Sequence, residues 1–157
     1  MITGIDKNIF QDLIIGIVSA IAFIFASLIF PTLSSIGIPY FPQSIASEAG
    51  RWIIVLISAP IFETILFQEF ILDFFDEKIG NFPYIIASII SSIAFALFHF
   101  SVYGENLSAV GGSFISAFSV GFAFCYLRKY TKSILPVIIA HLILNFYILL
   151  KLTVIIT

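Results

Sequence analysis

Residues 52–75 read WIIVLISAPIFETILFQEFILDFF. A helix of this length crosses a hydrocarbon core, which takes about 20 apolar residues. Yet Glu63 stands near the middle of the run. An ionisable side chain at that depth costs several kcal/mol, so its presence points to function. Two later apolar runs carry polar groups in the same way. Phe95 is followed one helical turn later by His99, and His141 by Asn145. One acid and two histidines held away from bulk water form a set that can activate a water molecule.

Working outward, five segments reach or approach spanning length. They are Leu13–Phe30, Trp52–Phe75, Tyr84–Phe100, Val110–Leu127 and Ser133–Leu150. The fold class is therefore all-α: a single polytopic membrane domain over residues 1–157, built as a bundle of about five transmembrane helices. Composition agrees, with 61% hydrophobic and only 10% charged residues, against about 25% charged in an ordinary soluble domain. The stretch 31–50, with Pro31, Pro39 and Pro42, reads as a long loop. Gly80-Asn81-Phe82-Pro83 breaks the second span from the third, and Val102–Ser108 the third from the fourth. Thr131-Lys132-Ser133 reads as a turn and N-cap before the fifth, with Pro136 in that helix's first turn.

Lys7, Lys78, Arg128, Lys129 and Lys132 fall on one side of such a bundle, Arg51 and Lys151 on the other. The positive-inside rule then places the N-terminus in the cytoplasm, the C-terminus outside, and the 31–50 loop on the extracytoplasmic face. The first apolar run is longer than a typical signal-peptide core of about 7–15 residues, and Asp6 and Asp12 flank it, so it reads as a retained span. A net charge of −2 without a basic run gives nucleic acid nothing to bind. The single cysteine, Cys125, cannot form an intrachain disulfide and reads as a small packing residue. Small residues recur every fourth position at Ser113, Ala117, Gly121 and Cys125, and at Ser88, Ser92 and Ala96. That is the pattern of close helix packing in lipid.

The polar groups fall at comparable depths. At ~1.5 Å per residue, Glu63 lies roughly 18 Å from Phe75 and His99 roughly 22 Å from Tyr84. From Ser133, His141 lies roughly 12 Å and Asn145 roughly 18 Å. All sit within a core of ~30 Å. Glu63 can take a proton from water and a histidine can assist. An Asn amide and a His N–H can stabilise an oxyanion. Spacing alone leaves two other readings open: a hydrogen-bonded network that holds the bundle together, and a proton or ion path.

The ordered set Ala59-Pro60-Ile61-Phe62-Glu63-Thr64 with Phe67-Gln68, then Phe95-x-x-x-His99, then Thr131-Lys132-Ser133-Ile134-Leu135 leading to His141-x-x-x-Asn145, resembles the CPBP family. That family includes the type II CAAX prenyl endopeptidases and bacterial Abi-type membrane proteins. The resemblance covers about residues 59–146, which would form the catalytic core. It implies an intramembrane endopeptidase acting on a membrane-associated peptide or protein, prenylated at a CAAX tail in the eukaryotic-type members. It implies Glu63 as the water-activating base, His99 as its assistant, and His141 with Asn145 at the oxyanion site. The family is often labelled metalloprotease; Glu63, His99 and His141 would then be the zinc ligands, although water activation without metal is the favoured account. The family pattern Glu-Glu-x-x-x-Arg is altered, because its second Glu is Thr64 and its Arg is Gln68. These supporting residues are one turn apart, and a Thr/Gln pair can still hydrogen-bond and leaves no unpaired buried charge. Glu69 is expected at the cytoplasmic interface; pairing with a histidine, or acting in place of the missing glutamate, are its other readings. Alongside the protease stand an inactive relative that binds a partner membrane protein, as immunity-type members do, and a proton-coupled carrier.

Overall fold

A computed structural model describes residues 9–29, 48–75, 83–103 and 107–156. These residues form five helices, with no strand among them: α1 (Ile9–Ile29), α2 (48–75), α3 (Tyr84–Tyr103), α4 (Leu107–Thr131) and α5 (Leu135–Ile156). Each expected span is thus a helix, and most helices run several residues past the apolar core. α1 and the Ile54–Ile71 part of α2 are long and apolar enough to cross a membrane; Tyr84–His99 and Leu135–Lys151 are shorter apolar stretches. Residues 31–47 of the proposed loop, and Gly80, Asn81 and Phe82 of the expected break, lie outside the described residues, as do Lys7, Lys78 and the side chain of Ser113.

The helices pack in two close pairs, α3 with α4 and α1 with α5, and α2 lies against α3, α4 and α5. The small-residue stripes explain the first pair. Ser88, Ser92, Ala96, Ala117, Gly121 and Cys125 are all buried. Gly121 lets α4 close onto Phe95, whose ring would stand 3.1 Å from a Cβ there. In the second pair Gly16 abuts Ile139 and the Pro136 carbonyl. The core between them is Phe67, Phe95, Phe124, Val137 and Leu144. Large apolar side chains such as Phe25, Phe62, Phe70 and Leu97 point outward, which suits a hydrocarbon surround.

α2 is not a uniform helix. Ile54–Ser58 and Thr64–Ile71 are π-helical, with Ala59–Glu63 α-helical between them. Pro60 accounts for the first departure. It has no N–H to offer, and its ring crowds the carbonyl one turn back, so the helix widens ahead of it. Both π stretches flank Glu63, a position where such bulges are common at functional sites.

The turn between α4 and α5 follows the sequence reading. Lys132 adopts a left-handed backbone with φ 53°. Ser133 Oγ accepts the Leu135 N–H at 3.4 Å and so caps α5. The same hydroxyl donates to Asp12 Oδ2 at 2.6 Å, which ties the start of α1 to this turn. Because a Cβ at Gly16 would lie 2.8 Å from Ile139 Cβ and 2.9 Å from a backbone oxygen, Gly16→Val forces α1 off α5. The expected loss is about 1–3 kcal/mol, read as a lower Tm in detergent; an unchanged Tm contradicts this packing.

Candidate functional site

Three helices bring their polar groups to one point. Glu63 Oε2 on α2 lies 3.6 Å from His99 Nε2 on α3 and 3.5 Å from His141 Nε2 on α5. All three side chains are buried, Glu63 to 7% exposure. Residues separated by 36 and 42 positions along the chain thus share one carboxylate oxygen. Aromatic rings wall the site: Phe95 stands 4.2 Å from the His99 ring and Phe124 5.0 Å from that of His141.

The backbone settles the role of each nitrogen of His99. Its Nδ1 lies 2.9 Å from the Phe95 carbonyl. A carbonyl only accepts, so Nδ1 carries the hydrogen, and in the neutral ring Nε2 presents a lone pair toward Glu63. This is why Phe and His stand one turn apart: the helix supplies the orienting acceptor from its own backbone. His141 is held differently. Its Nδ1 lies 3.3 Å from the Thr64 hydroxyl. With Thr64 donating, the imidazole hydrogen sits on Nε2 and faces Glu63. One carboxylate oxygen then meets a lone pair from one ring and an N–H from the other.

Asn145 also holds the backbone of a neighbouring helix. Its Nδ2 donates to the Val55 carbonyl at 3.0 Å. In the widened turn the Ala59 N–H bonds Ile54. The next donor along the backbone would be Pro60, which has none. Val55 is therefore left without a backbone donor, and Asn145 supplies one. The second N–H of the amide is not needed for this bond, so the side chain keeps one donor. Ser91 on α3 donates to the Phe67 carbonyl in the second π stretch.

The altered motif does not form the expected pair. Thr64 turns to His141, and among the described residues neither amide atom of the fully buried Gln68 has a hydrogen-bond partner. Glu69 meets no histidine; it accepts from Arg128 Nε at 2.7 Å at the edge of the bundle, with Asp73 4.0 Å from the same guanidinium. The interfacial reading of Glu69 is the one the geometry supports.

Beside the histidines lies a cavity of about 30 Å³, lined among others by Phe23, Ser27, His99, His141 and Asn145. It has room for a water molecule. Phe23 and Ser27 belong to α1, which the motifs do not cover; no spacing rule in the sequence marks them. A larger apolar groove of about 540 Å³ runs between α1 and α4 and shares Phe23 and Leu144 with the cavity. A carboxylate with two imidazole nitrogens is a zinc-type donor set. Among the described residues, however, no three such groups are arranged to hold a metal ion.

A family model described as type II CAAX prenyl endopeptidase Rce1-like matches residues 44–147. The match takes in all four polar positions and most of α2 through α5, and leaves α1 outside. No curated protein and no solved structure matches the chain.

Two substitutions probe the supporting geometry. Asn145→Leu strands the Val55 carbonyl and should cost about 1–3 kcal/mol, seen as a lower Tm. Gln68→Leu removes two unpaired buried polar atoms at similar volume and should leave Tm unchanged or raise it. A marked drop in Tm for Gln68→Leu would mean the amide has a partner.

Proposed function

Since the chain belongs to the type II CAAX prenyl endopeptidase Rce1-like family, we propose that it is an intramembrane endopeptidase in which Glu63 activates water. The observation that carries this reading is the single Glu63 oxygen set 3.5 and 3.6 Å from the Nε2 atoms of two histidines. Water held between Glu63 and His99 donates one hydrogen to each. Its oxygen attacks the scissile carbonyl carbon as Glu63 takes the proton. The carbonyl oxygen becomes an oxyanion, met by the spare N–H of Asn145 and by the His141 N–H, which turns from Glu63 once that carboxylate is protonated. The carbon–nitrogen bond then breaks, and the proton passes to the leaving amine. Phe95 and Phe124 keep bulk water out, which strengthens each of these contacts.

The substrate in this reading is a membrane-associated peptide, with the α1–α4 groove taking its apolar part. The groove and the histidine cavity share Phe23 and Leu144 as walls, and this adjacency supports the reading. The orientation follows the basic residues, with the Arg128 end of the bundle at the cytoplasm. Unpartnered Gln68 favours a second reading, a relative that has lost cleavage and binds a membrane partner instead.

Cleavage of prenylated and unmodified peptides by purified protein in lipid vesicles decides between them. Glu63→Gln should abolish product, a loss of at least about 10²-fold, in keeping with the removal of a general base. Glu69→Gln should retain activity within a few fold, because that carboxylate faces Arg128. Equal losses in both variants, or none in either, would sink the assignment.

A further inference from the structure

We propose that a second site, a pocket between the end of α2, the start of α3 and the end of α4, binds the phosphate diester of an anionic phospholipid. The pocket measures about 260 Å³ and is lined by Leu72, Asp73, Tyr84, Arg128, Lys129 and Lys132. It is separate from the cavity beside the histidines: Leu72 lies roughly 13 Å along α2 from Glu63 at ~1.5 Å per residue.

The charges of the pocket are unequal. Arg128 is committed to Glu69 and, more loosely, to Asp73. The two lysines are not spent in this way. Lys129 Nζ stands 4.1 Å over the Tyr84 ring, and among the described residues neither lysine reaches a carboxylate. Lys132 sits where the left-handed backbone turns the chain from α4 into α5. Two cations thus border a pocket whose floor is the apolar Leu72 and the Tyr84 ring, with Phe74 exposed on the neighbouring surface of α2.

A phosphate alone would use only the cations. An amphiphile uses both parts: phosphate against Lys129 and Lys132, and acyl chain along the apolar side. Basic pockets between helices at the cytoplasmic leaflet hold anionic headgroups for this reason. The site depends on the proposed orientation but not on catalysis, so it stands or falls separately from the hydrolase reading.

Native mass spectrometry of the purified full chain, titrated at fixed ionic strength with phosphatidylglycerol, phosphatidylcholine or inorganic phosphate, tests it. Wild type should bind phosphatidylglycerol saturably and more tightly than phosphatidylcholine. Lys129→Gln/Lys132→Gln should weaken phosphatidylglycerol about 25-fold, given the contribution of each basic residue near an anionic headgroup. Lys132→Gln alone, at an exposed side chain, should weaken it about fivefold and keeps the test valid if the double variant does not fold. Lys151→Gln, at the opposite end, should change nothing. Equal affinity for the two lipids, or wild-type affinity in the lysine variants, overturns the site. Saturable inorganic phosphate binding as tight as that of the lipid overturns the lipid as its source.

Discussion

A backbone carbonyl in hydrocarbon must find a donor, and Pro60 creates one that cannot find it within its own helix. The consequences run through the whole bundle. The turn ahead of Pro60 widens, the Ala59 N–H goes to Ile54, and Val55 is left to Asn145 on another helix. That bond fixes α2 against α5. Glu63, three residues past the proline, then meets His141, one turn before Asn145. A residue usually regarded as a helix breaker thus sets the register that assembles the site. The serine at position 91 donates to the Phe67 carbonyl one bulge later and ties α3 to α2.

This interaction also gives Asn145 a structural bond: its Nδ2 holds the Val55 carbonyl, and moving the amide would strand that carbonyl. The two histidines show a similar economy. His99 takes its orientation from its own helix through Phe95, whereas His141 takes it from Thr64 on a neighbour.

Much of this was legible in the sequence. Apolar runs interrupted by Glu63, His99 and His141 announced both the spans and their meeting point, since lipid makes such residues too costly to keep without a use. The Ser133 cap and the small-residue stripes were equally readable, because each is a local pattern with a local cause. What could not be read is what depends on contacts between helices. Nothing in the spacing shows that Thr64 faces His141 instead of Gln68, that Ser27 of α1 borders the cavity, or that Glu69 finds Arg128 across 59 positions of chain. The π-helical widening was not read from the sequence either, because its extent around Glu63 depends on which neighbours can satisfy the freed carbonyls.

The exchange at positions 64 and 68 gains a physical meaning from that geometry. In the resembled pattern a glutamate and an arginine occupy these places, one turn apart within the bundle. Here the charged pair is absent from the core, and a carboxylate–guanidinium pair, Glu69 with Arg128, stands at the bundle's edge instead. Burial makes a charge expensive unless it is paired, so losing both members together avoids stranding either. Thr64 then orients His141 with a neutral hydroxyl where an acid would have added a second negative charge beside Glu63. Two close carboxylates cannot both ionise readily. With a hydroxyl at position 64, Glu63 is the carboxylate that both imidazoles address through a single oxygen.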